Sequence, residues 1–240
     1  LHDGNRMKID PNNENKIIEW IVPDTLSNPI AQIGISINSD NNNSGKVIMN
    51  YLDISGTPKM TFKRPGHIDE YKRGIFYDEP VYGQLWKRAW VNDVDKWQYR
   101  WQESFKIVRG IGRGHIMTGS ESWKDYTISS KISIPLASAA GLILRSQGLK
   151  RYYSLELTSD KKLKINKMEY ELKTLKEIDF NVEFFRDYNL KFKVKGNHLQ
   201  GFVDDKLMIE VEDNENSFEE GMIGFITENG AIQSESISIE

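Results

Sequence analysis

The chain has 240 residues, 32 Lys and Arg against 35 Asp and Glu, and a formal net charge of −3. Its 38% hydrophobic and 11% aromatic content suffices for a core; the near-neutral charge argues against nucleic-acid binding, and no apolar run reaches the roughly 20 residues of a membrane helix. The lack of cysteine excludes disulfides, thiolate metal sites and a cysteine nucleophile, and fits a cytoplasmic protein.

The chain opens on LHDGNRMKIDPNNENK, a polar run with no apolar core of the kind a signal peptide needs. Such an entry is expected of a fragment cut from a longer polypeptide. Strands are predicted over Lys16–Val22, Ile30–Ile37, Lys46–Ile54, Pro58–Lys63 and Gly83–Val91. Asn38–Gly45 and Pro65–Pro80 read as loops. An aromatic-bearing stretch from Asp93 ends in the strand-like FKIVRG. Gly110, Gly112 and Gly114 then punctuate the chain, and a domain joint is expected there, dividing 1–109 from 110–240.

Beyond that point the patterning is sharper. Tyr126, Ile128, Ile132 and Ile134 alternate with polar residues, as do Leu190, Phe192 and Val194, and then Leu207, Ile209 and Val211. Period two with one polar face is the mark of antiparallel strands that cover a core on one side. Ser159-Asp160, Gly196-Asn197, Asp204-Asp205 and Asn229-Gly230 read as hairpin turns, because these residue types reach positive φ cheaply. No amphipathic helix of three turns is visible. The predicted fold is all-β: two β-sandwiches, the first jelly-roll-like.

The block from Arg109 to Leu157 carries a Gly-rich entry, then WKDYTI, AGLILRSQ and RYYSLEL. It resembles the concanavalin/laminin-G-like sandwich of carbohydrate-active proteins. VKGNHLQGFVDDKLMIEVED and EEGMIGFITENGA resemble later strands of that fold. Upstream, NPIAQIGISI, SGKVIMNYLDISGTP and LWKRAWVNDVDKW resemble the region that follows the catalytic domain in bacterial ADP-ribosylglycohydrolase-family proteins. Together these motifs span most of residues 28–230. The resemblance implies a non-catalytic accessory region, cytoplasmic and bacterial, that binds a ligand or scaffolds the catalytic domain. Its partners would be a carbohydrate or ADP-ribosyl ligand and a catalytic domain outside this chain. Mg²⁺ would belong to that domain alone, so no cofactor is expected here. A stand-alone concanavalin-fold lectin or glycoside hydrolase is the alternative.

Specific chemistry is sparse. Glu177, Asp179 and Glu183 place acids too widely for a glycosidase. Along a straight strand Glu177 and Glu183 would lie roughly 20 Å apart, against the about 5–9.5 Å a glycosidase pair needs. The four histidines, His2, His67, His115 and His198, form no ligand spacing. GIGRG precedes no helix, so it lacks the dipole of a phosphate loop. Asn42-Asn43-Ser44 matches a glycosylation sequon in a chain with no secretory sign.

Aromatic and polar sets point to sugar binding instead. By parity, Tyr153 points into the core with Leu155 and Leu157, while Tyr152 and Glu156 face outward. Arg145 and Gln147 are placed on the same outer surface across a hairpin at Gly148–Arg151. These four form the expected ligand site, with Tyr152 for stacking; a solvated face with an Arg145–Glu156 pair is the other reading. Trp86, Arg88 and Trp90 share one strand parity and form a second surface. It admits core packing, docking against the absent domain or ligand contact.

Overall fold

The computed structural model describes residues 17–19, 48–52, 56, 58–64, 86–98 and 101–240. The loops at 38–45 and 65–80, the strand at 30–37, the sequon, His2 and His67 lie outside these residues. Of the strands expected at 16–22 and 46–54, the described parts, 17–19 and 48–52, are exposed and pair with nothing in a ladder.

The alternating segments become strands because each has one apolar face to bury. Tyr126, Ile128, Ile132 and Ile134 are at most 3% exposed, and Leu190, Phe192 and Val194 at most 1%. Among the described residues there are fourteen strands: β1 (Met60–Phe62), β2 (Val91–Asn92), β3 (Lys96–Trp97), β4 (Phe105–Thr118), β5 (Tyr126–Leu136), β6 (Ala139–Ser146), β7 (Arg151–Thr158), β8 (Lys162–Glu169), β9 (Glu171–Asp179), β10 (Asp187–Lys195), β11 (His198–Val203), β12 (Lys206–Glu212), β13 (Met222–Ser234) and β14 (Ile237–Ile239). No α-helix occurs among them; a single helical turn covers residues 86–89. The all-β, β-sandwich fold class expected from the sequence is what the described residues form.

One layer runs β9-β8-β7-β6 to the first half of β13 and the second half of β4. The other runs β12-β11-β10-β5, then to β14 and the second half of β13. Every pairing is antiparallel. Strands β4 and β13 serve both layers and pair along nearly their whole lengths. Their register slips between Arg109 and Arg113 on β4 and between Glu228 and Gly230 on β13. Gly112 (φ 75°) and Asn229 (φ 47°) take the left-handed conformations of this double bulge. The Gly112 N–H donates to Asn229 Oδ1 at 2.8 Å.

The joint expected at 109–110 therefore falls inside β4. There Gly112 lets one strand bend from layer to layer. Phe62, Trp86, Trp90, Phe105 and Ile107, all before residue 110, sit in the same core as the later strands. Asn229-Gly230 is likewise the bend of β13 and not a hairpin turn. Gly196-Asn197 and Asp204-Asp205 do make two-residue turns, β10–β11 and β11–β12. Asp204 (φ 50°) and Asp205 (φ 63°) are both left-handed, as a type I′ turn requires.

The central core draws Leu142, Leu144, Tyr153 and Leu155 from one layer and Ile128, Leu190 and Phe192 from the other. Leu207 departs from the expected inward set and is 46% exposed. Gly201 pairs with Ile209 and Phe202 with Leu207, so Met208 is an inserted residue that reverses the parity of the strand's start. At one end of the core, Lys167 is buried. Its ammonium donates to the carbonyls of Glu215 and Asn216 at 2.6 and 2.8 Å and pairs with Asp213 at 2.8 Å. Its charge is thus spent on tying down the 213–218 connection.

The register of the β10–β11 hairpin makes a direct test. Phe192→Ala should lower unfolding free energy by about 3–5 kcal/mol as a large-to-small core change. Lys193→Ala, on the opposite face, should change it by under about 0.5 kcal/mol. Chemical denaturation of both variants measures the difference; equal losses would place the hairpin one residue out of register.

Candidate functional site

The outer face of the β4–β9 layer carries the densest set of polar side chains. Its position follows from parity within each strand. Arg113, His115 and Met117 alternate along β4, Tyr152, Ser154 and Glu156 along β7, and Lys164, Asn166 and Met168 along β8. Ser154 lies opposite Asn166 and Glu156 opposite Lys164. Gly141 is the cross-strand partner of Glu156 on β6 and leaves no side chain in that row. Arg113 reaches over to Glu156 from the far side of the layer.

The Arg113 guanidinium grips Glu156 with both terminal nitrogens, each at 2.8 Å, and gives its Nε–H to Glu228 at 2.8 Å. Ser154 donates to Glu156 Oε1 at 2.5 Å, and Thr174 donates to Asn166 Oδ1 at 2.9 Å. Glu156 is fully buried, Arg113 17% and Glu228 28% exposed at their side chains. Burial pushes the Glu156 carboxyl up, but Arg113, Ser154 and Asn166 more than offset it and hold the group below the usual carboxylate range. Arg113 is raised: burial opposes the charged form, and its bonds to Glu156 outweigh that.

A second hydrogen-bonded chain lies beside the first. Asp93 Oδ1 accepts the His115 backbone N–H at 2.6 Å and meets ring Nδ1 at 2.8 Å. His115 Nε2 lies 3.1 Å from the Tyr152 hydroxyl. In a neutral imidazole, donation from Nδ1 to Asp93 leaves Nε2 to accept from Tyr152. Burial pushes the Tyr152 phenol up to about 12 against the pull of Arg113. Met117, Ile143, Tyr152, Met168 and Ile226 close a small apolar cluster under this network.

The structure brings only part of the expected site together. Tyr152 and Glu156 do share the outer face, and Tyr153 points into the core. Both Tyr152 and Glu156, however, are at 0% exposure, so Tyr152 offers no open ring for stacking. Arg145 is elsewhere. It sits in a bulge of β6 with φ 47°, where the register against β13 slips between Met222 and Gly224. The inserted residue turns its side chain away from Glu156. Its guanidinium instead donates to the carbonyls of Lys124, Gly196 and Phe218 and pairs with Asp125 at 3.0 Å. Gly221 packs so closely on this bulge that a Cβ would come within 2.4 Å of the Arg145 carbonyl carbon. Gln147 is exposed in the β6–β7 turn and bonds to Arg151 and the Glu220 carbonyl.

Trp86, Arg88 and Trp90 do not form a strand face. They lie in and just after the helical turn at 86–89, which sends both indoles inward at 5% exposure and Arg88 outward. Trp86 packs 5.1 Å from Trp97, and Trp90 5.0 Å from Phe105. Among the described residues the two indoles thus pack in the core, and Arg88 does not. Glu177 and Asp179 lie on edge strand β9, where Lys162 reaches both and Lys164 meets Glu177. Glu183 is exposed beyond the strand, beside Arg186. Arg113 and His115 were the residues that sequence reasoning passed over. Their alternation with Met117 was legible, but the neighbouring glycines read as a joint and hid it.

No family model matches the chain, and no curated protein matches its sequence; the likeness to ADP-ribosylglycohydrolase-family proteins has no counterpart there. Solved structures do match. A carbohydrate-binding module, CBM66 from Bacillus subtilis, is similar at 21% identity with a TM-score of 0.58, over 63% of this chain and 95% of that one. A Bacillus subtilis protein of unknown function with a galectin-like fold is similar at 10% identity with a TM-score of 0.51, over 71% and 97%. The GH43 protein BlXynB of Bacillus licheniformis is similar at 15% identity with a TM-score of 0.51, over 79% of this chain and 40% of that one. At such identities the likeness is one of fold, a β-sandwich.

Two predictions come from this geometry. Arg145→Ala should cost at least about 3 kcal/mol, because it strands buried carbonyls that lose a charged donor; thermal melting measures it. The second is a pH effect. Tyr152 is raised from 10.0 to about 12, so the stability it contributes is whole below pH 10 and is lost as pH rises through 12. Glu156 is lowered from 4.5, so its contribution is whole above that value and is lost as pH falls through the folded pKa. Stability against pH should show both edges, and Tyr152→Phe should remove part of the alkaline one.

Proposed function

We propose that this chain is a non-catalytic carbohydrate-binding β-sandwich module that uses the outer face of the β4–β9 layer. The observation that carries the reading is the Arg113 fork between Glu156 and Glu228, with Asn166, His115 and Tyr152 beside it. Sugar hydroxyls both donate and accept. The partly exposed rim of Arg113, Glu228, Asp93 and Lys164 offers cations and carboxylates that can meet both needs, while the buried Glu156, Asn166, His115 and Tyr152 hold that rim in place. The similarity in fold to CBM66 supports the same ligand class.

The charge on this face favours a neutral saccharide over an ADP-ribosyl ligand. Arg113 is already shared by two carboxylates, and Lys162 and Lys164 are each paired with acids. A diphosphate would meet no uncommitted cation there and would face Glu156, Glu228 and Asp93. Attachment to a hydrolase also belongs to this proposal. A sandwich of this kind aligns with part of the longer GH43 protein, which supports an accessory module acting for a catalytic domain. The acids Glu177 and Asp179 hold lysines and are left without a catalytic role.

Titration calorimetry with neutral linear trisaccharides of glucose, xylose, galactose and fructose, and with ADP-ribose, tests the reading. At least one neutral saccharide should bind with a dissociation constant of millimolar order or tighter, and ADP-ribose should not. Glu228→Ala and Arg113→Lys should each weaken binding at least about tenfold while the protein stays folded. Saccharide binding that both variants retain in full would move the site off this face.

A further inference from the structure

The loop between β9 and β10 holds two phenylalanines in water. Phe185 is 76% and Phe184 43% exposed. Phe185 also has φ 64°, the left-handed region that a bulky side chain enters only under strain. The strain is imposed from outside the loop: the Phe185 N–H donates to the Ile134 carbonyl of β5 at 2.9 Å. A glycine would satisfy the same bond without strain. The chain instead keeps an apolar ring where folding gains little from it, and strain of this kind collects at ligand contacts.

The surroundings of the loop combine polar and apolar groups. A surface depression beside it is lined by Asn181, Glu183, Arg186, Asp204 and Lys206 together with the apolar Phe180, Val203 and Met208. Arg186 lies 4.8 Å from the Tyr188 ring centroid and bonds Asp204 at 3.2 Å, so its guanidinium plane is fixed. Tyr188 in turn accepts the Glu183 backbone N–H at 2.8 Å. The side chains of Asn181 and Lys206 make no hydrogen bond or ion pair among the described residues. Asn181 and Lys206 thus offer uncommitted polar groups in a depression that Glu183 and Arg186, the chain neighbours of Phe184 and Phe185, also line.

We propose that this loop is a second saccharide-binding site, with Phe185 as the stacking surface and Asn181, Arg186 and Lys206 as hydroxyl partners. An aromatic ring takes the apolar C–H face of a sugar, and the polar rim takes its hydroxyls. Five of the eight residues that line the depression are polar or charged and can meet hydroxyls, while Phe180, Val203 and Met208 give it an apolar floor for C–H groups. The site shares its ligand class with the outer face of the β4–β9 layer but none of its residues. Two sites on one module would let an extended glycan, or two strands of one, raise overall avidity without stronger single contacts.

The test uses the same neutral trisaccharides, followed by amide chemical shifts and calorimetry. Shifts should move at residues 180–186 and 204–206 as one group, separately from any at Arg113, Glu156 and Glu228. Phe185→Gly should abolish the first group of shifts and weaken binding there at least about tenfold, with a melting temperature unchanged or higher because the strain is relieved. Arg113→Lys should leave the first group intact. A melting temperature lowered by several degrees in Phe185→Gly would make the ring structural and overturn the proposal. So would trisaccharide shifts confined to the outer face, or the absence of any shift at 180–186. Shifts at 180–186 with none at Arg113 and Glu156 would support this site and remove the other.

Discussion

Strands β4 and β13 must each belong to two layers at once, and a regular strand cannot do that. A straight ladder would leave either the first half or the second half of each strand pointing out of its sheet. The paired bulge at Gly112 and Asn229 resolves this by bending both strands at the same level, so the ladder between them survives the turn. Every other element takes its place from that bend. β6 can pair with the first half of β13 and β5 with the second, and the space between them becomes the core that receives Phe105, Phe225 and Phe192. The same bend sets Arg113 just past the turn, at the margin of the outer face.

The outer face is built by charges that hold one another. Glu156 is tolerated in the interior only because Arg113 and Ser154 satisfy it from two directions. A buried ion pair of this kind adds little net stability, and removal of either partner is expensive. Its value lies in orientation: the guanidinium plane is fixed, and so is the direction of its remaining N–H groups. Asp93 does the same for His115. The arrangement suits recognition of hydroxyls in defined directions better than it suits capture of a charged ligand.

Much of the layer structure was legible because it depends on local rules. The alternation in β5 and β10 and the turns at Gly196-Asn197 and Asp204-Asp205 need only period two and residues that accept positive φ. What was hidden depends on single inserted residues. Parity counting carried Arg145 onto the same face as Glu156, yet one bulge reversed it, and an arginine at positive φ gives no warning in a sequence. Met208 reversed Leu207 in the same way. Trp86 and Trp90 fitted a strand by spacing, but spacing of four also fits a helical turn, which is what tertiary packing selected. Glu156 and its true partner are 43 residues apart, a distance over which no local pattern reports.

The pairing of β4 with β13 also has a consequence in time. Gly112 and Asn229 are 117 residues apart, so the bond that secures the bend joins distant parts of the polypeptide. During synthesis at about 5–20 residues per second, β4 waits on the order of ten seconds for its principal neighbour. Until then the short β2 and β3 are its partners among the described residues, and its Ile107 and Ile116 have no finished core to enter. Closure of such a long loop is slow compared with hairpin formation. The β6–β9 meander and the β10–β12 meander can form early and locally, and the arrival of β13 then joins them. A nascent chain of this protein thus carries β4 without its principal neighbour while β5 to β12 are made, a partly apolar strand of the kind that chaperones recognise.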